Sequence, residues 1–440
     1  SKRARQQQRQ RASVTCLYGK LCCSSFISAC CSSRMSRACS LLLRHRLPSL
    51  GAVPAASVRL WSASADARLR AVESGERGWR VCFFGSDLVA RNVLSALYDA
   101  AQPGTADVTA APLIDRTALT AVCRPSSAAD RSIVVKPWAH ERGIPVLQPA
   151  SLRGGWTPTG AGAGAGAGSL GDVPFDVAVV ASYGALLPRA LVQWFPLGGI
   201  NMHPSLLPKY RGAAPIYHQL LDNERRSGVS IIELHPTTFD AGNILQQREL
   251  ELEPHWGYLQ TAEHLSGLGA RMVIDTLRHL RHYQAAAVPQ PALPPDAPAS
   301  VRNASKVSSA LCKVDWHAMS ASQVLLRFRA LGDTLGLYTF WGSRRVKLCE
   351  LHAVALDQPR SHGSSAVVPG TVTWPGGEHL LIACSDGSFV ACRRLQFEGA
   401  RHTHSAHDFA NGHLQRRKRD PSIPAPVIVF GDTTATAPAT

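Results

Sequence analysis

The apolar and polar positions divide the chain into two regions with different periodicities. Between residues 78 and 283, short apolar runs alternate with segments whose apolar positions recur at helical spacing. This alternation predicts an α/β fold with a doubly wound, mostly parallel sheet. Strands are predicted at 79–85, 119–124, 145–149, 175–184, 200–203 and 229–234, and helices at 138–142, 187–195 and 258–280.

The first predicted strand ends at Gly85, and a helical pattern follows it, so the region opens with a strand, a turn and a helix. This turn reads FFGSDLVA and lacks the GxGxxG spacing with which a backbone approaches a pyrophosphate. The sequence therefore gives no support for a nicotinamide site. It contains no Walker loop and no HExxH motif, so ATP and zinc sites have no support either.

Beyond residue 283 the pattern changes. Residues 284–300 are rich in Pro and Ala and predict a linker. A helix at 320–331 and several short strands separated by turns then predict a small, OB-like β-barrel over 301–419. The Pro-rich stretch 420–440 predicts a disordered tail, and the Gly/Ala repeat at 159–172 predicts a flexible surface loop.

The formal net charge of +16 is concentrated at the two flanks. Residues 1–65 hold 11 Lys and Arg and no acidic residue, which is typical of a mitochondrial transit segment. The alternative is a disordered tail that binds nucleic acid. Met35 is the expected start of the native protein, and residues 1–34 are then not native coding sequence. Residues 301–419 hold 16 basic and 8 acidic residues, an excess that favours a polyanionic partner.

Cysteine and apolar content exclude two further classes. The six cysteines after residue 39 are scattered without zinc spacing, so we expect reduced thiols and no metal. No window offers the ~18 uninterrupted apolar residues of a membrane span, so we expect no membrane partner.

The best candidate for chemistry is the segment NMHPSLLPKYRG, residues 201–212. Asn201 and His203 are two apart on a short strand, so their side chains share one face. Both can donate to an oxyanion that develops on a carbonyl, and Asp240 in a following turn can hold the His in its charged form. A lone Asn-x-His pair on a strand is usually structural, so the case depends on the combination with Asp240.

Together with FDAGNIL at 239–245, this segment resembles the NxHxSLLPxxxG signature of the formyltransferase family that uses 10-formyltetrahydrofolate. The stretches GAAPIYHQLL, VDW and SAHDFANG resemble the members of that family that formylate methionyl-tRNA in mitochondria. The resemblance implies a Rossmann-like formyltransferase domain at 78–283 and catalytic roles for Asn201, His203 and Asp240. It also implies a folate site that includes Ser205, Leu206, Leu207, Pro208, Ser182, Tyr183, Gly184 and Leu186.

The resemblance implies transfer of a formyl group to the α-amino group of methionyl initiator tRNA for translation initiation in the mitochondrial matrix, by an enzyme we expect to be a monomer. The basic residues that we expect to contact the tRNA lie beside the catalytic strand and in the C-terminal region: Lys209, Arg211, Arg344, Arg345, Lys347, Arg393 and Arg394. Clusters of basic residues more often form a solvent-exposed surface than a binding site. In the family, a loop of the first domain that contacts the acceptor stem is often long and rich in Lys and Arg. Here the loop at 125–135 is short and has one basic residue, Arg131, so the chain departs from the family pattern.

Three alternatives remain from the sequence. A glycinamide ribonucleotide formyltransferase shares the Asn, His and Asp arrangement but lacks an appended basic barrel. A folate-dependent hydrolase would use the same residues with water as the acceptor. A non-catalytic RNA-binding protein could retain an inactive formyltransferase domain, although intact Asn201, His203 and Asp240 argue against that.

Overall fold

The computed structural model describes residues 66–102, 111–125, 133–153, 156, 175–296, 298, 303–354, 367–414 and 427–431. The predicted transit segment at 1–65 and the Gly/Ala loop at 159–172 lie outside these residues, and so do positions 420–426 and 432–440 of the predicted tail. Within the described part of the chain, no helix is long and apolar enough to cross a membrane.

The first region forms a seven-stranded sheet. Its strands are Val81–Phe84 (β1), Thr120–Val122 (β2), Val146–Leu147 (β3), Val177–Ala181 (β4), Gly199–His203 (β5), Arg226–Glu233 (β6) and Ile244–Glu251 (β7). They lie in the order β3-β2-β1-β4-β5-β6-β7. The pairs from β3 to β5 are parallel, and β6 and β7 are antiparallel. This confirms the predicted mostly parallel, doubly wound sheet.

The strand order positions the site. Because the sequence order reverses between β1 and β4, the connections from these two strands leave in opposite directions and open a crevice at their carboxyl ends. β1 and β4 are buried along their whole length, as expected for strands covered on both faces. Val180 of β4 is opposite Asn201 of β5, so the polar end of β5 adjoins this crevice.

Helices cover both faces of this sheet. They are Leu88–Asp99 (α1), Val135–Glu141 (α2), Arg189–Trp194 (α3), Pro215–Leu221 (α4), Tyr258–Arg278 (α5) and Leu280–Ala285 (α6), and residues 66–73 are also helical. The long α5 packs on α1 through buried apolar positions at helical spacing, such as Val93 and Leu97 on α1 and Leu265 on α5. The Trp79 indole fixes the end of α5 by donating to the Leu277 carbonyl over 3.0 Å.

The second region forms an antiparallel sheet beside the helix Ala321–Leu331 (α7). Its strands are Leu337–Trp341 (β8), Arg344–Ala353 (β9), Thr371–Thr373 (β10), Leu380–Ala383 (β11), Phe389–Phe397 (β12), His404–Ser405 (β13) and Ile428–Val429 (β14), and a short helix, Ala406–Phe409 (α8), follows β13. They lie in the order β14-β10-β11-β12-β9-β8 with β13 beside β12. The Gly431 amide, just after β14, donates to the Phe340 carbonyl of β8 over 2.7 Å. This bond joins the two ends of the sheet, consistent with the predicted OB-like barrel.

Two strands differ from the sequence expectation. The prediction of disorder in the tail is wrong for residues 427–431, because β14 pairs with β10 and Phe430 is fully buried. The apolar run VIVF supports this strand, but the prolines around it hid the pattern. β7 was not predicted, because its sequence ILQQRELE is mostly polar. It is the edge strand of the first sheet, and polar residues are common on exposed edges.

We predict that Gly85→Ala destabilises the first region. A Cβ at this position would lie 2.5 Å from the Ala90 Cβ and 2.8 Å from the Ala181 carbonyl oxygen, closer than real atoms approach. Forced movement of α1 or β4 should cost about 1–3 kcal/mol and lower the thermal midpoint measured by circular dichroism.

The matched control is Gly267→Ala in α5. A Cβ at position 267 would meet only the Arg271 guanidinium, at 3.9 Å. This variant should stabilise the protein by about 0.5–1 kcal/mol, because Ala is the better helix former. If Gly85→Ala melts at or above the wild-type midpoint, the close packing at Gly85 is refuted.

Candidate active site

The three polar residues that the sequence singles out meet at the carboxyl edge of the first sheet. Asn201 and His203 lie on β5, and Asp240 lies in the turn between β6 and β7. The Asn201 amide nitrogen donates to Asp240 Oδ1 over 3.1 Å, and His203 Nδ1 lies 3.6 Å from the same oxygen. All three residues line one cavity. An amide, an imidazole and a carboxylate therefore form one cluster at its wall.

The His203 ring is held in one orientation by the loop that follows it. Its Nε2 lies 2.8 Å from the Tyr210 carbonyl oxygen. Because a carbonyl can only accept a hydrogen bond, Nε2 must carry a proton, and Nδ1 is the nitrogen that faces Asp240. The Asp240 carboxylate and the Nδ1 side of the ring therefore face each other across 3.6 Å.

Asp240 is presented by a tight turn. Its backbone is left-handed, with φ of +52°, and its Oδ2 accepts from the Gly212 amide over 2.9 Å. At Gly242 a Cβ would lie 1.8 Å from the Glu233 carbonyl oxygen, so only glycine fits there. Each carboxylate oxygen of Asp240 therefore has a donor already in place, which keeps the side chain in one position.

Gln290 supports this turn from the far side. Its amide nitrogen donates to the Asp240 carbonyl over 2.7 Å and to the Gly242 carbonyl over 2.8 Å. Its oxygen accepts from Arg211 Nε over 2.9 Å. Gln290 lies in the predicted linker, where a single glutamine among prolines gives no signal of function, so the sequence analysis missed it.

The predicted folate residues of the SLLP segment lie behind the site. Ser205 and Leu207 are buried, and the Ser205 hydroxyl donates to the Lys209 carbonyl over 2.7 Å. The Ser230 hydroxyl of β6 donates to the Ser205 carbonyl over 2.6 Å. Pro204 lines the cavity, whereas Ser205, Leu206, Leu207 and Pro208 are not among the described lining residues. These contacts make the loop a rigid support for β5.

The cavity has a volume of about 390 Å³, within the range of small-molecule sites. The segment after β4 forms one wall, and its lining includes the predicted residues Ser182, Tyr183, Gly184 and Leu186. Leu186 and Phe239 line the cavity yet are 36% and 51% exposed. Two large apolar side chains at an open rim are suited to contact a flat, partly apolar ligand.

Asp87 is a further acidic group in the same cavity, and the sequence analysis missed it. Its Oδ1 accepts from the Ala90 amide over 3.1 Å as the cap of α1, and its Oδ2 accepts from the Ser182 hydroxyl over 2.5 Å. Loss of solvent raises the pKa of the Asp87 carboxyl, and the bonds from Ser182 and Ala90 oppose that rise. Read alone, Ser-Asp before a helix indicates only a cap.

The start of the C-terminal region completes the cavity wall. Asn303 and Ser305 line it, and the Ala304 amide donates to the Arg211 carbonyl over 2.6 Å. In return, the Ala214 amide donates to the Ala304 carbonyl over 3.0 Å. The segment that leads to the second sheet is thus joined to the loop that follows β5.

The predicted tRNA-binding residues fall into three settings. Lys209 is exposed near the cavity, while Arg211 is half-buried and bonded to Gln290. Arg344, Arg345 and Lys347 lie on β9, where the Arg345 guanidinium stacks 3.7 Å over the Tyr338 ring. The remaining two residues, Arg393 and Arg394, lie on β12 and form ion pairs with acidic side chains.

Arg393 lies 2.7 Å from Glu378, and Arg394 lies 3.7 Å from Glu350. Their charges are partly neutralised within the protein. The described residues show no ion pair for Arg345 or Lys347, whose charges are therefore the more available to a polyanion.

Two family models match the chain in order. Residues 79–276 match the formyl transferase model, and residues 306–414 match the model of the formyl transferase C-terminal domain. The first match contains Asn201, His203 and Asp240, and the second contains β8 to β13.

The relatives include proteins from animals and bacteria. The chain is 32% identical over 339 residues to the mitochondrial methionyl-tRNA formyltransferase of Bos taurus, covering 76% of this chain and 78% of that protein. It is 35% identical over 340 residues to the Mus musculus protein of the same name, with the same shares covered. It is 33% identical over 342 residues to the methionyl-tRNA formyltransferase of Anaeromyxobacter sp. (strain K), covering 77% of this chain and 98% of that protein.

Both halves of the chain thus match the two domains of one family, and the matched relatives align with them over most of their own length. The chain belongs to the formyl transferase family, in the branch of the methionyl-tRNA formyltransferases.

Proposed function

We propose that this chain transfers the formyl group of 10-formyltetrahydrofolate to the α-amino group of methionyl initiator tRNA, and that it does so as a monomer in the mitochondrial matrix. The observation that carries the proposal is the cluster at the wall of the cavity, in which Asn201 donates to Asp240 and His203 Nδ1 lies 3.6 Å from the same Asp240 oxygen. The relatives named as mitochondrial methionyl-tRNA formyltransferases support the acceptor and the compartment.

The reaction exchanges one amide for another. A bond forms between the acceptor nitrogen and the formyl carbon, and the bond from that carbon to N10 of the folate breaks. The acceptor nitrogen loses one proton and N10 gains one, so that no oxidant, reductant or metal is required. The donor supplies the formyl carbon, and the protein supplies position, charge stabilisation and proton transfer.

Asn201 and His203 stabilise the charge that develops on the formyl oxygen. The Asn201 amide is oriented by Asp240, and the fixed His203 ring has only Nδ1 left for a new hydrogen bond. Groups held in place before the reaction lose little energy to reorientation when the charge appears. Asp240 keeps the Asn201 amide in place, and the Tyr210 carbonyl keeps the His203 ring in place.

The cavity suits a folate donor in shape and chemistry. Val180, Leu187 and Val192 give its wall an apolar surface, and the segment Ser182–Leu186 adds exposed polar backbone at the end of a strand. We assign pterin contacts to Ser182, Tyr183, Gly184 and Leu186. To Ser205, Leu206, Leu207 and Pro208 we assign support of the site from behind, because the loop is bonded to β6.

A tRNA acceptor explains the second region better than a small metabolite does. A small acceptor would not need a separate basic domain, whereas tRNA needs positive charge beyond the cavity. We assign its contacts to Lys209 and Arg211 beside the cluster and to Arg344, Arg345, Lys347, Arg393 and Arg394 on the second sheet.

The direct test incubates the full chain with charged initiator tRNA and 10-formyltetrahydrofolate and measures formylmethionyl-tRNA. Product formation that depends on both substrates supports the proposal. Hydrolysis of the folate without formylation, or tRNA binding without either reaction, would replace it with the hydrolase or the RNA-binding alternative.

We predict that His203→Ala lowers kcat by about 10²–10³-fold and changes the folate KM little, because it removes a donor used in the transition state. The matched control is His140→Ala, a substitution in α2 away from the cavity lining, which should leave both constants unchanged. An unchanged kcat in His203→Ala would rule out the assigned role.

Two substitutions at Gln290 separate its contacts. Gln290→Glu keeps an acceptor for Arg211 but loses the donor to the Asp240 and Gly242 carbonyls, and Gln290→Ala loses both. If the turn positions the cluster, both variants should lower kcat, by roughly tenfold for the loss of two hydrogen bonds. A defect confined to Gln290→Ala would instead show that Arg211 is the important partner.

The charges on the second sheet should contribute unequally to tRNA binding. Lys347→Gln and Arg345→Gln should each reduce the slope of log Kd against log salt by about 0.7–0.9 if one phosphate contact is lost. Arg393→Gln should change it less, because Glu378 and Glu350 already neutralise that side chain. Filter binding over a salt series measures the slope, and equal slopes for all variants would contradict this assignment.

A further inference from the structure

The cavity lining includes groups that the cluster of Asn201, His203 and Asp240 does not use. Among them are Asp87, Tyr217 and Tyr258. The two tyrosine rings stack with centroids 4.1 Å apart and an interplanar angle of 20°. Tyr217 lies on α4 and Tyr258 begins α5, so three elements converge with Asp87, the cap of α1.

Asp87 lies close to the reacting groups. It is bonded to Ser182, which directly follows β4. Ala181 is opposite Met202 across the β4–β5 pair, so Ser182, which follows Ala181, and His203, which follows Met202, lie at the neighbouring ends of these two strands. Asp87 follows β1, which adjoins β4 in the sheet, so all three residues lie at the same edge.

The stacked tyrosines adjoin Asp87. Desolvation raises the pKa of both tyrosines, and the negative charge of Asp87 contributes to that rise, so the carboxylate lies within electrostatic reach of the pair. The Tyr217 hydroxyl donates to Thr334 Oγ1 over 2.9 Å, which leaves the ring faces rather than this hydroxyl to contact a ligand. A carboxylate beside two aromatic rings suits a ligand with an amine and an apolar, polarisable side chain.

We propose, on the basis of the proposed function, that Asp87 and the Tyr217–Tyr258 stack form the subsite for the aminoacyl end of the acceptor. The Asp87 carboxylate accepts a hydrogen bond from the α-amino group and directs its lone pair toward the formyl carbon. The aromatic pair receives the thioether side chain, since sulfur packs well against rings. This subsite gives the enzyme its selectivity for methionine.

Asp240 is less suited to bind the amine. Its Oδ1 accepts from Asn201, and its Oδ2 accepts from Gly212. Rotation toward a new donor would break contacts that hold the cluster together. Asp87 likewise accepts one hydrogen bond on each oxygen, from Ala90 and Ser182, but neither donor belongs to the cluster of Asn201, His203 and Asp240. Its other lone pairs can therefore accept from a ligand without disturbing that cluster.

The first experiment replaces Asp87 with Asn, which keeps the cap acceptor and removes the charge. The kcat/KM for methionyl-tRNA should fall by about tenfold or more, since a hydrogen bond to a charged group is lost. The folate Kd and the thermal midpoint should not change. The matched control is Asp115→Asn, because Asp115 caps a short helix outside the cavity lining in the same way.

The second experiment tests selectivity with initiator tRNA charged with methionine or with alanine. Tyr258→Ala should reduce the ratio of the two kcat/KM values by about tenfold, the scale of discrimination that an apolar pocket provides. Tyr258→Leu, which fills more of the space, tests the same point if the Ala variant does not fold. Trp256→Ala is the control, because it breaks the exposed stack of Trp256 on His264 outside the cavity lining.

The outcomes are separable. Formylation by the wild type, with unchanged constants in Asp87→Asn and an unchanged ratio in a folded Tyr258 variant, overturns the subsite and leaves the proposed function standing. A wild-type chain that formylates no methionyl-tRNA overturns the proposed function itself.

Discussion

The site depends on the hydrogen bonds that the Asp240 carboxylate accepts. One oxygen binds the Asn201 amide beside His203, and the other binds the Gly212 backbone. A single side chain from the β6–β7 turn therefore joins the end of β5 to the loop that follows it. Asn201 and His203 on a strand would be common structural residues, and the carboxylate is what brings the two side chains together around one oxygen. The left-handed backbone of Asp240 and the required glycine at 242 follow from this placement.

The cluster of Asn201, His203 and Asp240 is not supported by the first region alone. Gln290 comes from the predicted linker, and the Ala304 backbone exchanges hydrogen bonds with Arg211 and Ala214. Tyr217 reaches Thr334 beside the second sheet. The connection between the two regions is thus part of the cavity wall, with Asn303 and Ser305 in its lining. The second sheet is therefore attached to the cavity through a hydrogen-bonded segment.

Much of the fold could be predicted from hydrophobic patterning. Strands β1, β4 and β5 have the apolar runs that are typical of buried strands. The NxHxSLLPxxxG signature, taken with Asp240, indicated the cluster of polar residues. Patterning failed where the reason for a structure lies elsewhere in the chain. The polar β7 forms because β6 offers it an edge, and β14 forms because β10 does. The sequence around Gln290 and Asp87 does not predict their places at the site. Gln290 is bonded to Asp240, 50 positions away, and Asp87 is bonded to Ser182, 95 positions away.

The bond from Gly431 to Phe340 has a consequence for biosynthesis. β14 leaves the ribosome after every other described strand. It pairs with β10 at one end of the sheet, and the bond from Gly431 just after it reaches β8 at the other end. Until it emerges, β8 and β10 each present an open edge, and open edges attract other chains. The nascent second region is therefore most exposed to aggregation just before β14 emerges. A protein imported into an organelle in extended form would meet the same hazard again on its arrival.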